Sequence, residues 1–192
     1  MESAARTTDA LVEAAREAIA VRGWDATTME EIAAAAGVSR MTLHRRGLTR
    51  EGLLDALREA LLAEEREALW PALTARGNGR DRLVLALSAL CAVSERNLAV
   101  LPALAEDVHN EVWHEPGDDA LTRDEFTAPF RRLLEDGIAD GSLAPHGDLD
   151  ELATVLYNQV GWTYRHLRTG HRWAPERARS AVVELAVRGV AA

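Results

Sequence analysis

The chain of 192 residues contains no lysine and a single cysteine, Cys91. One thiol excludes an internal disulfide and suits a reducing compartment. Phenylalanine and tyrosine number two each, so the aromatics that favour strands are scarce. Nowhere do 18 uncharged apolar residues run together, and the opening MESAARTTDA lacks the apolar centre of a signal peptide. Secreted and membrane-spanning classes are therefore not expected, and neither is a membrane partner. What is plentiful is alanine (35) and leucine (26), together about a third of the chain. Both are strong helix formers, and they predict an all-α, cytoplasmic protein with a sizeable core.

The net charge of −9 conceals a segregation. Residues 1–55 carry seven arginines against nine acids, and the remainder carries 15 arginines against 22 acids. Between Glu31 and Glu51 there is no acid, while Arg40, Arg45, Arg46 and Arg50 all fall there beside His44. A small cationic patch on an acidic body is the footprint of a phosphate-contacting head.

Spacing of apolar residues predicts about nine helices. The first is capped in Thr7-Thr8-Asp9 and stops at Gly23. Thr28 with Glu31 forms a capping box for the second, which Gly37 ends. Ser39 caps a short third helix, and Thr49 a long fourth one running to about Leu73. A loop at Gly77-Asn78-Gly79 precedes a fifth helix to about Val100, a sixth from Pro102 to about His114, and a seventh through Phe126 and Leu134. Asp148 caps the eighth, whose predicted inward positions are 149, 152, 156, 160, 163 and 167. Pro175 opens the last at its first turn. The predicted domains are 1–55, a three-helix head, and 56–192, a helical ligand-binding and dimerisation body.

The second and third helices, joined through Gly37, have helix-turn-helix dimensions. In that motif the second helix enters the major groove. Arg40 can fork onto guanine, Thr42 can bond a base or meet a thymine methyl, and Met41 on the same short helix is a further candidate for DNA contact. His44, Arg45, Arg46 and Arg50 can reach phosphate or base edges. Thr28 and Ser39, with the helix starts they cap, offer donors to phosphate.

The run Gly23-Trp24-Asp25-Ala26-Thr27-Thr28, then Ile32-Ala33, Ala36-Gly37-Val38-Ser39, Thr42-Leu43 and Arg50-Glu51-x-Leu53-Leu54 resembles the TetR family of bacterial one-component transcriptional regulators. The resemblance covers about residues 8–57. It implies homodimers on near-palindromic operators, usually repressors released by a small molecule. The chain departs from the family's Thr-Leu-Tyr-x-His-Phe run at His44, Arg46 and Gly47. Arg50 stands at the family's lysine position.

Trp113, Tyr157, Gln159, Trp162 and Thr163 are candidate walls of an apolar pocket with a few polar groups. Leu152, Leu156, Val160 and Leu167, with Val182 and Leu185 on the last helix, are candidate dimer-seam residues; packing within one chain would use the same faces. No cofactor, metal or enzymatic activity is expected. His109 and His114, like His166 and His171, are spaced five apart rather than four, and neighbouring acids such as Glu64-Glu65 suit solvated faces. Cys91 fits an inert core thiol, with a redox sensor as the alternative. The function expected is a ligand-released repressor; the alternatives are a regulator without an inducer, or an activator.

Overall fold

The computed structural model describes residues 2–39, 41–42, 48–105, 121–144 and 147–192. Among these it places eight helices: α1 (Glu2–Arg22), α2 (Met29–Ala35), α3 (Arg50–Thr74), α4 (Gly79–Arg96), α5 (Leu101–Ala105), α6 (Asp124–Ala139), α7 (Leu149–Thr169) and α8 (Pro175–Arg188). The architecture is all-α; an isolated antiparallel bridge joins Leu143 to Ala191. Among the described residues no helix is long and apolar enough to cross a membrane. The chain forms two compact units, Met1–Ala63 with Asn97–Val108, and Glu64–Arg96 with His109–Ala192.

In the first unit α1 packs on α2. Its core contains Leu11, Ala15, Ile19, Ile32, Ala33, Leu53 and Leu57, all buried. The helix α1 begins earlier than the Thr7-Asp9 cap predicts, because nothing in residues 2–8 breaks a helix. At the other end, Gly23 takes a left-handed φ of 79°, a conformation that glycine adopts without a Cβ penalty. Helix α2 has the predicted capping box: Thr28 Oγ1 accepts from the Glu31 amide, and Glu31 accepts from the Thr28 amide.

In the second unit α4 packs against α6, α7 and α8, while α7 also packs on α6 and α8. Glycine permits the tightest approach: a Cβ on Gly79 would lie 2.3 Å from Gly137 Cα. Arg82 donates to the Ala72 and Leu73 carbonyls at the end of α3 and pairs with Asp136 at 2.8 Å. Farther along α4, Glu95 accepts two bonds of 2.7 Å from Arg168 and one of 2.8 Å from the Tyr164 hydroxyl. The Arg168 guanidinium holds the Glu95 carboxyl below the usual carboxylate range. Asp148 caps α7 as predicted, accepting from the Asp150 and Glu151 amides.

The register of α7 differs from the prediction. Its buried residues are Ala153, Leu156, Tyr157, Val160 and Tyr164, whereas Thr163 is exposed. Apolarity alone placed the stripe wrongly, because both tyrosines can bury their rings once their hydroxyls find carboxylates. The candidate seam changes accordingly. Leu156, Val160 and Val182 are 2%, 0% and 5% exposed within a single chain, so they belong to its own core and leave a partner almost nothing to cover. Leu152 and Leu167 are half-buried, and only Leu185 of the six is well exposed.

Candidate functional site

The helix-turn-helix region is built from local signals. After α2, the Gly37 amide donates to the Ala34 carbonyl and the Val38 amide to that of Ala33. Gly37 has a φ of 67°. These bonds turn the chain into Ser39, whose Oγ accepts from the Thr42 amide at 3.2 Å and lies 2.9 Å from the Thr42 hydroxyl. Ser39 thus makes the helix-capping contact that the sequence predicts. Met41 is exposed and Thr42 half-buried, both in helical conformation. Arg40, His44, Arg45 and Arg46 lie outside the described residues, as does Gly47.

Thr28 is exposed, but its hydroxyl is also engaged, donating to Glu31 Oε2 at 3.0 Å. The Thr28 amide and hydroxyl hold the Glu31 carboxyl below its ordinary range, with Arg22 pairing on the other carboxylate oxygen.

Arg50 has partners that the sequence did not suggest. Its Nη1 donates to the Thr27 carbonyl at 2.6 Å and its Nη2 to the Trp24 carbonyl at 2.5 Å. The guanidinium lies 3.7 Å from the centre of the Trp24 ring. One planar cation at the start of α3 therefore closes the turn between α1 and α2. This is a positioning task; donors aimed at carbonyls of the same unit are not aimed at phosphate.

In the second unit, the expected pocket residues do not converge. Trp113 lies outside the described residues. Tyr157 is buried, but Gln159, Trp162 and Thr163 are exposed. Two residues apart on a helix is a turn of about 200°, so Tyr157 inward forces Gln159 outward, and Trp162 and Thr163 follow Gln159.

The group that sequence reasoning missed is Glu65. Expected on a solvated face beside Glu64, it is 7% exposed. Its two carboxylate oxygens take the Tyr157 hydroxyl at 3.1 and 3.4 Å. Phe126 and Phe130 pack on the Tyr157 ring with centroids at 5.6 and 6.0 Å. Burial pushes the Glu65 carboxyl up to about 7, against the downward pull of the Tyr157 hydrogen bond. The partner is 92 residues away in the chain, so no local pattern announces it.

Cys91 is fully buried, and burial pushes its thiol up to about 12. Such a thiol is unreactive. Iodoacetamide at pH 8 is expected to leave the folded protein unmodified and to label it once unfolded; rapid labelling of the native state would restore the redox alternative. Among the described residues no group of three or more histidine, cysteine or acidic side chains is placed to hold a metal.

The model of "Bacterial regulatory proteins, tetR family" matches residues 11–57. Solved structures match along nearly the whole chain. A bacterial regulatory protein in the tetR family from Rhodococcus RHA1 is 23% identical with a TM-score of 0.72, over 96% of this chain and 97% of that one. A TetR transcriptional regulator from Chloroflexus aurantiacus J-10-FL is 22% identical with a TM-score of 0.71, over 100% and 99%. A third structure concerns the molecular basis for control of antibiotic production by bacterial hormones. It is 17% identical with a TM-score of 0.75, over 97% and 98%. No curated protein sequence matches the chain. The fold is thus that of these TetR regulators, and residues 11–57 are similar to the tetR family of bacterial regulatory proteins.

Proposed function

We propose that the chain is a homodimeric transcriptional repressor of the cytoplasm that binds a near-palindromic DNA operator and leaves it when a small molecule binds the second unit. The observation that carries this reading is the family match over residues 11–57, which contains the acid-free stretch between Glu31 and Glu51. Arg40, Met41 and Thr42 would face base edges from the short helix that Ser39 caps. His44, Arg45, Arg46, Thr28 and Ser39 would hold phosphates. Arg50 would act on DNA indirectly, by holding the turn at Trp24 and Thr27.

For the effector, the supported class is apolar or amphipathic. The buried Glu65–Tyr157 pair beside Phe126 and Phe130 offers a polar point in an aromatic setting. The third neighbour's connection to a bacterial hormone favours a ligand-responsive reading. A ligand can release DNA only through its differential affinity for two conformations, typically worth about 1–3 kcal/mol. For the dimer, the exposed apolar groups on α7 and α8 are Val155, Trp162 and Leu185, and these replace Leu156, Val160 and Val182 as the proposed seam.

The test is fluorescence anisotropy on the DNA upstream of the gene against random duplex. Arg45→Ala is expected to weaken binding about tenfold on all sequences and lower the salt slope by about 1. Arg40→Ala should instead cost about 1–3 kcal/mol of discrimination at one base position. Equal affinity of the wild-type protein for upstream and random DNA at physiological salt would overturn the proposal.

A further inference from the structure

The longest stretch of the chain without an acid lies not in the head but in the second unit, between Glu151 and Glu176. Within and just beyond it, residues 165–179 carry five arginines and two histidines against Glu176 alone. Elsewhere in that unit acids outnumber arginines two to one. These residues form the end of α7, the link at 170–174 and the start of α8. The link folds back tightly. The Gly170 and His171 amides donate to the His166 carbonyl, and the Trp173 amide donates to that of Leu167 at 2.9 Å. The His166 and His171 rings consequently stand 4.9 Å apart, although a continuous helix would separate them around its axis. One basic surface results.

Some of these cations are already committed. Arg168 is held by Glu95, and Arg179 pairs with Glu176. Arg172 and Arg177 are exposed and form no ion pair among the described residues. Arg177 stacks on Trp173, its guanidinium carbon 3.8 Å from the ring centre, and Arg165 lies over Trp162 at 4.9 Å. A guanidinium stacked through its face keeps its N–H edge for an oxygen acceptor. Arg172 is held differently. Its φ of 55° is left-handed, a conformation in which glycine is the ordinary residue and an arginine is strained. Glycine would form this turn more easily, so the turn itself does not account for the arginine.

We propose that this surface binds the phosphate backbone of double-stranded DNA, as a contact additional to that of the first unit. The inference rests on the DNA-binding function proposed above. Fixed guanidinium charges such as those of Arg172 and Arg177 neutralise phosphates without reading sequence. Arg168 fastens the link to Glu95 near the end of α4, and from Asn97 the chain continues into the first unit. The surface is thus tied to the stretch of chain that leads to the helix-turn-helix unit. A membrane surface would ask for apolar groups among the cations, and neither the link nor the start of α8 exposes a large one.

Fluorescence anisotropy of the full chain on a random-sequence duplex, repeated across salt concentrations, tests this. Arg172→Gly is expected to fold at least as stably as wild type, because it removes the left-handed arginine. It should lower the slope of log K against log salt by about 0.9 per protomer, which at about 0.1 M salt is about tenfold weaker binding. Adding Arg177→Gln should bring the slope change to about 1.8. Arg172→Lys keeps the charge and should bind like wild type, with circular dichroism melts establishing that each variant folds. An unchanged slope and affinity in the folded double variant, while Arg45→Ala still weakens binding, would overturn this inference alone. No DNA binding by the wild-type chain would overturn the proposed function with it. Cosedimentation with phosphatidylserine vesicles that is lost in Arg172→Gly, with DNA binding unchanged, would assign the surface to membranes instead.

Discussion

Arg50→Ala is expected to destabilise the first unit by about 2–4 kcal/mol and, on the proposed function, to lower operator affinity about tenfold to a hundredfold. The stability figure follows from the side chain's interactions: two hydrogen bonds from a charged donor, each worth about 1.5–3 kcal/mol where shielded, and a cation–π interaction of about 0.5–1 kcal/mol, reduced because the group is half-buried. Without the guanidinium the Trp24 and Thr27 carbonyls lose their shared donor, and the turn that aims α2 keeps only its own bonds, from the Thr27 hydroxyl to the Gly23 carbonyl at 2.7 Å and from the Thr27 amide to the Trp24 carbonyl at 3.1 Å. The discriminating measurement is salt dependence. Removing a cation that touches phosphate would lower the slope of log K against log salt by about 0.9. Removing a positioning residue leaves that slope unchanged while affinity falls, and this is the expected result. Arg50→Lys keeps the charge but not the fork, so it should behave like the alanine variant in both melting and affinity. A slope reduced by one ion, with melting unaffected, would return Arg50 to the DNA surface.

What the sequence discloses about this molecule, and what it withholds, follows the distance between partners. The Thr28–Glu31 box and the Asp148 cap join residues within three positions, and both stand as predicted. The turn at Gly37 is equally local. Arg50 and Trp24 are 26 residues apart, and an arginine beside a basic run carries no mark of a partner so far upstream. On α7 the error was one of phase. Three-and-four spacing carries the stripe from Leu156 and Val160 through Thr163 and Leu167 and passes over Tyr157 and Tyr164, whose hydroxyls are costly to bury without an acceptor. Those acceptors, Glu65 and Glu95, come from α3 and α4. Misplacing the tyrosines also misplaced the pocket, because Gln159 and Trp162 are tied to Tyr157 by helix geometry. For the seam candidates the sequence left packing within one chain open, and Leu156, Val160 and Val182 take that alternative. Periodicity identifies a buried face without telling whether its own chain or a second copy buries it.

Glu65→Gln is expected to raise the melting temperature at pH 8 and to leave it nearly unchanged at pH 5. In the folded chain the Glu65 carboxyl titrates near 7, against about 4.5 for an unperturbed glutamate, because burial disfavours the charged form. The folded state therefore binds a proton more tightly than the unfolded one. The stability this confers is fully present below pH 4.5 and is lost as pH rises through 7. Over that window the loss is about 3 kcal/mol, from about 1.4 kcal/mol per unit of pKa difference. For a chain of this length that is about 6–12 °C of melting temperature. Glutamine fills the same space and still accepts from the Tyr157 hydroxyl, but it never ionises, so its melting temperature should not fall with Glu65 titration. Tyr157→Phe should act in the opposite sense. It removes the donor that favours the carboxylate, so the variant should lose more stability than wild type between pH 5 and pH 8. Parallel pH–melting curves for wild type and Glu65→Gln would show that the carboxyl titrates as it does in the unfolded chain. Glu65 would then make no pH-dependent contribution to the second unit's stability.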